Sequence, residues 1–309
     1  MMDYRESVKL IFKEKLKQRV ERLNEKSKGQ DNIIYLIRTN NSDLVIRIPR
    51  LAPKWMSEEM SDVVKNRLSA EAYANDMWSK LGVPVPKTIL LDTSRELVDF
   101  DYLIQEQIKG RDMGESKLTL KQKQEIMLEL GKYVKKMHSV ETKKYGYMKA
   151  QGVGDSKTWS EFIDKDFNGN FNEIKKHNLL PKRIQNKIAS TYSNHKNILS
   201  FKTPKLLHTD LGEDNIIIYK GKLSGIIDMS DINSGDPMYE LGVMSNYYFG
   251  TNLMDSFYKG YGKINIRKVL FYAVVHSMWM INFHGNLEKN KKWLSHDIKS
   301  LKYHLDKLS

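Results

Sequence analysis

The spacing of apolar residues changes period several times along the chain. Residues 4 to 25 place Val8, Leu10, Ile11, Leu16, Val20 and Leu23 at helical intervals, which predicts one amphipathic helix. Ile33 to Ile37 and Leu44 to Ile48 are short apolar runs joined by Asn40-Asn41-Ser42-Asp43, the pattern of a β-hairpin. A helix is expected over 60–81, closed by Gly82 and followed by Pro84 and Pro86. Strands are expected at Ile89 to Asp92 and Tyr102 to Gln107. Together these make a small mixed lobe. Beyond Gly110 the spacing is mostly helical: over Leu120 to His138, over a polar stretch at 158–200, from Pro237 onward, and in two or three helices over 264–308. Trp279 and Trp293 in that last stretch read as core. Gln105 to Gly110 reads as a hinge, dividing the chain into 1–107 and 108–309.

One segment interrupts the helices. Ile216-Ile217-Ile218 with Tyr219 reads as a strand, and Leu223 to Ile227 as a second. Gly221-Lys222 between them suits a two-residue turn, because glycine tolerates positive φ. If Lys220 pairs with Leu223, Asn215 falls opposite Asp228, and Asp210 lies on the loop entering the hairpin. An ionisable base and two oxygen donors for a hard cation are the parts that metal-assisted phosphoryl transfer requires. Asp210 would accept a proton from a substrate hydroxyl; Asn215 and Asp228 would hold Mg²⁺ against nucleotide phosphates. His208 reads as a brace for the loop. Asp236, before Pro237, reads as a helix N-cap that also anchors the loop. Glu213, Asp231 and Glu240 add acid nearby and are candidates to line a substrate pocket.

The first lobe offers a complement. Arg47 alternates with Ile46 and Ile48 along a strand, and so points away from them. Glu71 lies on or beside the apolar stripe of the following helix, where a carboxylate needs a partner. A strand cation meeting a helix carboxylate is a way to hold the α- and β-phosphates of a nucleotide. Gly29-Gln30-Asp31-Asn32 could cover phosphates with backbone N–H groups, although it is neither GxGxxG nor GxxxxGK[ST].

Composition narrows the field. The 309 residues suffice for two lobes with real cores. No apolar run approaches the roughly 18 residues of a membrane span, and the charged N-terminus lacks a secretory apolar stretch. Cysteine is absent, which excludes disulfide and thiol chemistry and agrees with a cytoplasmic location. No two histidines have HxxxH spacing, so zinc is not expected. The net charge of +13 invites a nucleic-acid reading, but Lys and Arg are scattered and short basic runs such as Lys175-Lys176 carry no aromatic platform. The expected partners are a nucleotide and a small molecule, with the chain a monomer or weak dimer.

His208-Thr-Asp-Leu-Gly-Glu-Asp-Asn215, Gly225-Ile-Ile-Asp-Met-Ser-Asp231 and Gly235-Asp-Pro-Met-Tyr-Glu-Leu241 resemble motifs of the aminoglycoside phosphotransferase family, a branch of the protein-kinase-like fold. Val45 to Pro49, Ser69 to Glu71 with Ala72, Gly82 to Pro86 and Leu103 to Gly110 resemble its amino-terminal lobe. The resemblance implies an α+β, two-lobed fold with an antiparallel sheet in the small lobe and a larger, mainly helical second lobe. It also implies ATP or GTP between the lobes, its base at Gln105, Glu106 and Gln107, and γ-phosphoryl transfer to a small-molecule hydroxyl. An aminoglycoside-type antibiotic is the first expected acceptor. Macrolides follow, then an amino alcohol, choline-like compound or sugar; a pseudokinase is the non-catalytic alternative. Three positions depart from the usual pattern: Arg47 where protein kinases have Lys, Met229 where they have Phe, and Thr209 where Gly is common.

Overall fold

The computed structural model describes residues 4–27, 32–50, 58–150 and 152–308. The chain opens with α1 (Arg5–Leu16), followed by β1 (Val20–Ser27), β2 (Asn32–Thr39) and β3 (Asp43–Pro49). Then come α2 (Glu58–Lys80), β4 (Thr88–Asp92) and β5 (Tyr102–Glu106). The strands form one antiparallel sheet in the order β1-β2-β3-β5-β4. Ile33, Tyr35 and Ile37 of β2 and Leu44, Ile46 and Ile48 of β3 alternate onto one face. There they bury Val8, Ile11 and Phe12 of α1. Arg47 is directed to the opposite face, where α2 supplies its partner.

The single helix expected over residues 4 to 25 is two elements. Lys17 turns left-handed at φ 53°, and the Gln18 N–H returns to the Phe12 carbonyl at 3.1 Å, a helix-terminating pattern. Val20 to Ser27 instead pairs with β2 as the sheet edge. Leu16, Val20 and Leu23 fit either period, and backbone pairing with β2 decides between them.

The larger body contains β6 (Arg111–Asp112), α3 (Leu120–Met137), β7 (Tyr145–Ala150), β8 (Val153–Ser156), α4 (Trp159–Lys176) and α5 (Lys182–His195). It continues with β9 (Lys205–Leu207), β10 (Ile216–Tyr219), β11 (Lys222–Ile226), β12 (Asn233–Gly235), α6 (Pro237–Tyr247), α7 (Leu253–Tyr261), α8 (Ile266–Asn282) and α9 (Lys291–Leu308). The helix expected over 158–200 breaks between α4 and α5, where Asn178 adopts φ 52° and Pro181 precedes α5. β6 joins the β10–β11 hairpin in a three-stranded sheet, and β8, β7, β12 and β9 make a four-stranded one that the apolar pattern did not announce, because its strands are short.

α2 bridges the two halves. Ala70, Ala74 and Trp78, with Val83 and Val85 beyond it, belong to the same apolar cluster as Leu130 of α3 and Phe257 of α7. The Trp78 Nε1–H donates to the Met137 carbonyl at 3.2 Å. A second cluster joins α4, α5, α8 and α9 around Trp159, Phe167, Phe271 and Leu301. Trp279, expected in a core, is only partly buried, and Trp293 is 46% exposed. Among the described residues no helix is long and apolar enough to cross a membrane.

Burial holds His276 and His304 at about pKa 4, well below 6.5. Protons therefore bind the unfolded chain first, so stability is full above pH 6.5 and declines as pH falls toward 4. The loss is expected to be a few kcal/mol (about 3 per histidine at the limit). Urea midpoints at pH 7 and pH 4.5 measure it, and a His276→Gln, His304→Gln chain should lose distinctly less.

Candidate active site

The hairpin departs from the expected register, by two residues next to the turn and by one residue past a bulge. Tyr219 pairs with Lys222 and Ile218 with Leu223; a bulge at Ser224 then sets Ile217 opposite Gly225 and Ile216 opposite Ile226. The turn is therefore Lys220-Gly221, both at positive φ (51° and 76°), the signature of a type I′ turn. Asn215 consequently faces Ile227, whose N–H donates to the Asn215 carbonyl at 3.0 Å, and Asp228 lies one residue beyond. The bulge and turn were invisible to simple counting, yet the two side chains still arrive at one end of the hairpin.

Asp210 is held on both carboxylate oxygens. The Tyr247 hydroxyl donates to Oδ1 at 2.9 Å, and Asn215 Nδ2 donates to Oδ2 at 2.8 Å. Burial raises the Asp210 carboxyl to about pKa 6; the negative charge of Asp228 adds to the rise, while Tyr247 and Asn215 oppose it. Asp210 is thus ionised at neutral pH but close to its titration, as a general base needs to be. Tyr247 had no signal in the sequence, because its position depends on how α6 passes the loop.

Asp228 occupies the left-handed region at φ 64°, and so does Thr209 at φ 62°. A β-branched residue there is unusual and costs about 1–3 kcal/mol. This conformation accounts for the glycine often found at the position of Thr209. Thr209 is retained by its hydroxyl, which donates to the Asp231 carbonyl and accepts from Asn233 Nδ2 at 3.1 Å.

Arg47 reaches across from β3. Its Nη2 lies 2.6 Å from Asp228 Oδ1 and its Nε 3.2 Å from Glu71 Oε2. Glu71 is 1% exposed, and its other oxygen accepts from Gln105 Nε2 at 2.9 Å. Burial pushes the Glu71 carboxyl up, against the pull of Arg47 and Gln105. The side chain of Gln105 is therefore committed to the Glu71 carboxylate. Glu106 and Gln107 continue the hinge, their N–H groups bonded to the carbonyls of Lys87 and Asp43. At the end of the hinge Gly110 adopts φ +136°, and a Cβ there would meet the Ile218 carbonyl oxygen at 2.3 Å. Gly29 lies outside the described residues.

Beneath the loop, His208 is wholly buried and stacks on Trp78 with ring centroids 6.2 Å apart. Its Nδ1 accepts the Asp210 N–H at 3.2 Å, which leaves Nε2 to donate to the Ile227 carbonyl at 3.0 Å. Burial lowers its pKa and favours this neutral form. The expected bracing role therefore has a geometry. Asp236 caps α6 through the Met238 N–H and also accepts from Lys268 and Tyr272.

The three candidate pocket acids have different fates. Glu240 is fully buried: it accepts from His138 Nε2 at 3.0 Å and from the His208 N–H at 2.7 Å. Burial alone would raise its pKa, but His138 and His208 hold it below the ordinary value. It is a support under the loop and not a pocket wall, which corrects the expectation; position 240 sits on the inner face of α6. Glu213 pairs with Lys123 at 2.7 Å. Asp231 borders the cleft but is paired with Arg67 at 3.3 Å. Arg67 went unnoticed in the sequence, although it lies one turn before Glu71 on the same helix.

The oxygen donors of Asn215 and Asp228 suit a hard divalent cation, and a guanidinium already rests on Asp228, so the site accepts positive charge. Among the described residues no cluster of three or more His, Cys, Asp or Glu could hold a metal by itself. Two protein oxygens completed by phosphates and water are the usual Mg²⁺ arrangement.

The model of a phosphotransferase enzyme family matches residues 23–271. No curated protein matches the sequence. Among solved structures, aminoglycoside phosphotransferase APH(4)-Ia has a TM-score of 0.74 at 14% identity, covering 99% of each chain. A thermostable mutant of it, in complex with ADP and hygromycin B, has a TM-score of 0.73 at 14% identity and covers 97% of this chain and 98% of that one. The GDP and kanamycin complex of a 2″-aminoglycoside phosphotransferase has a TM-score of 0.70 at 15% identity, covering 99% of each. At such identities these structures establish the two-lobed, kinase-like α+β fold.

Arg47→Met leaves Glu71 buried without its cation. A stability loss of about 3–5 kcal/mol is expected at pH 7.5. Since Glu71 relieves the defect by taking a proton, the deficit should shrink toward pH 5.5; urea denaturation at both pH values checks the size and its direction.

Proposed function

The chain belongs to the phosphotransferase enzyme family, and from that premise we propose that it transfers the γ-phosphoryl group of ATP or GTP, carried with Mg²⁺, to a hydroxyl of a small molecule. The observation that supports this best is the convergence of Asp210, Asn215 and Asp228 at one hairpin, with the Arg47–Glu71 pair reaching them from the sheet.

Each residue has a task in this reading. The Arg47 guanidinium grips α- and β-phosphate oxygens, held at the right height by Glu71. Its fork can contact two oxygens, where a lysine would offer one point charge. The edge of the base lies along Glu106 and Gln107, while Gln105 fixes Glu71. Asn215 and Asp228 would hold Mg²⁺, which when bound offsets phosphate charge as the leaving group departs. Asp210 receives the acceptor hydroxyl proton. The hydroxyl oxygen forms its bond to the γ-phosphorus as the bond to the β,γ-bridging oxygen breaks. Tyr247 and Asn215 aim the Asp210 carboxylate, so little reorientation is needed in the transition state.

For the acceptor, an aminoglycoside-type antibiotic is the first reading, because the solved relatives hold hygromycin B and kanamycin. A phosphate on a drug hydroxyl adds nearly two negative charges and would confer resistance. A macrolide-like acceptor is the second reading, favoured by the pairing of Asp231 with Arg67 and Glu213 with Lys123 and by the burial of Glu240. The complete set of Asp210, Asn215 and Asp228 speaks against a pseudokinase.

Turnover with Mg·ATP and Mg·GTP across aminoglycosides, macrolides and amino alcohols tests the reading. Asp210→Asn should lower kcat by about 10³-fold or more while Mg·nucleotide affinity stays within a factor of two to three. Asp228→Ala should weaken Mg·nucleotide binding itself, by roughly tenfold or more. Wild-type turnover in Asp210→Asn would refute the base assignment.

The pH dependence follows from the same group. As pH falls through about 6, Asp210 takes a proton and kcat should decline with it. Bound Mg²⁺ offsets the charge of Asp228, so the acid limb should move to lower pH as Mg²⁺ is raised. A rate flat from pH 7.5 to 5 would contradict the role.

A further inference from the structure

The end of α6 divides its residues between two neighbours. Ser245 and Asn246 turn toward α8 and α9, while Tyr247 and, one residue past the helix, Tyr248 turn toward the catalytic loop. The Tyr247 hydroxyl donates to Asp210 Oδ1 at 2.9 Å, and the Tyr248 hydroxyl donates to the Leu211 carbonyl at 3.2 Å. Two adjacent tyrosines thus hold two adjacent loop residues, one by its side chain and the other by its backbone. A hydroxyl at the tip of a tyrosine ring is only as well placed as the backbone that carries it. Whatever fixes the end of α6 therefore bears on the base.

Asn246 does so from within the protein. Its side chain is wholly buried, and each of its hydrogen-bonding positions is engaged. Nδ2 donates to the Ala273 carbonyl at 3.1 Å and to His276 Nδ1 at 3.3 Å. Oδ1 accepts from the Ser300 hydroxyl at 2.8 Å and faces the Ser277 hydroxyl at 3.2 Å. The Asn246 carbonyl accepts from His296 Nε2 at 3.2 Å. One residue earlier, the Ser245 hydroxyl donates to His304 Nε2 at 2.8 Å, and His304 Nδ1 donates to the Ser300 carbonyl at 2.8 Å. His276, Ser277, Ser300 and His304 are all buried. Burying so many polar groups costs free energy that apolar residues would avoid, and their hydrogen bonds offset it in one arrangement only. The network therefore fixes direction: α6 cannot rotate or slide against α8 and α9 without breaking several of these bonds together.

We propose that Asn246 and Ser300 are positioning residues for the base: they hold the end of α6 so that Tyr247 keeps its hydroxyl on Asp210 and Tyr248 holds the next carbonyl. This rests on the kinase reading above and extends the support of the base to α9, the last helix of the chain. The effect has a sign. The hydroxyl of Tyr247 and the amide of Asn215 favour the charged Asp210 carboxylate, while burial and the charges of Asp228 and Asp214 oppose it. Loosening Tyr247 therefore raises the Asp210 pKa further above the ordinary carboxylate value. His276 and His304 are neutral in that range, since burial holds both at about 4.

The test titrates the Asp210 carboxyl directly, by NMR of protein labelled with ¹³Cγ-aspartate, its signal identified by its absence in Asp210→Asn. Tyr247→Phe should raise the midpoint by about half a pH unit or more, the worth of one hydrogen bond. Asn246→Ala and the milder Ser300→Ala should raise it in the same direction, by about 0.3 of a unit or more, with Mg·AMP-PNP affinity within a factor of about two. In both, kcat for transfer from Mg·ATP to water should fall by about threefold or more at constant nucleotide KM. Ser300→Ala should add nothing in a Tyr247→Phe background, because its route to the base is already cut. Leu301→Ala, which removes buried packing of α9 next to Ser300, should lower the urea midpoint and leave the titration alone. An unmoved titration in Ser300→Ala and Asn246→Ala overturns the proposal, and Ser300→Ala decides if Asn246→Ala does not fold. So does a fully additive shift in the double variant, or an equal shift in Leu301→Ala, which would reduce the network to a matter of stability. Failure of the kinase reading shows separately, as Mg·ATP turnover that survives Asp210→Asn.

Discussion

The guanidinium of Arg47 is the joint on which this architecture turns. It sits between Glu71 of α2 and Asp228 beyond β11, and so carries a contact from the sheet to the hairpin. Two carboxylates that approach one another in a partly buried space do not both stay ionised without a cation between them. Asp210 is already raised, by burial first and by the charge of Asp228 second. Remove the guanidinium and Glu71 loses its cation, Asp228 loses a tether to the sheet, and Asp210 feels more negative charge. Arginine suits this position better than lysine, because its separate nitrogens serve two acids at once.

The catalytic loop depends on support from below in an equally physical way. Thr209 and Asp228 both hold a left-handed backbone that their side chains disfavour. Such strain persists only where the surroundings over-determine it. Here the means are visible: the Thr209 hydroxyl on the Asp231 carbonyl, His208 stacked on Trp78 and bonded at both ring nitrogens, and Glu240 beneath the His208 amide. Trp78 belongs to α2, the helix that also carries Glu71 and Arg67. One helix therefore positions the phosphate grip, the loop brace and the partner of Asp231, and a shift in α2 would reach all three.

The acceptor side shows why local charge has to be judged with its partners. Three acids near the motif were candidates to line a substrate pocket. Folding sent one of them into the core and gave the other two cations that are distant in sequence, Lys123 and Arg67.

The sequence by itself determined the chemistry-bearing set and the coarse architecture. Short apolar runs at Ile33–Ile37 and Leu44–Ile48, joined by the turn residues between them, specified a hairpin; helical spacing put Glu71 on the inner face of α2, and the short separations among Asp210, Asn215 and Asp228 confined them to one end of a turn. These are local constraints, which period and spacing carry. Tertiary structure decided the rest. Pairing with β2 turned Val20 to Glu25 from helix to strand, and a turn at Lys220-Gly221 with a bulge after it left the hairpin one residue out of the expected register. α6 brought Tyr247 to Asp210, and the same helix buried Glu240. Each of these depends on what another, sequence-distant element offers: an open strand edge, a cavity or a counter-charge. No period in the sequence encodes that choice, because its free energy comes from contacts that exist only once the chain has folded.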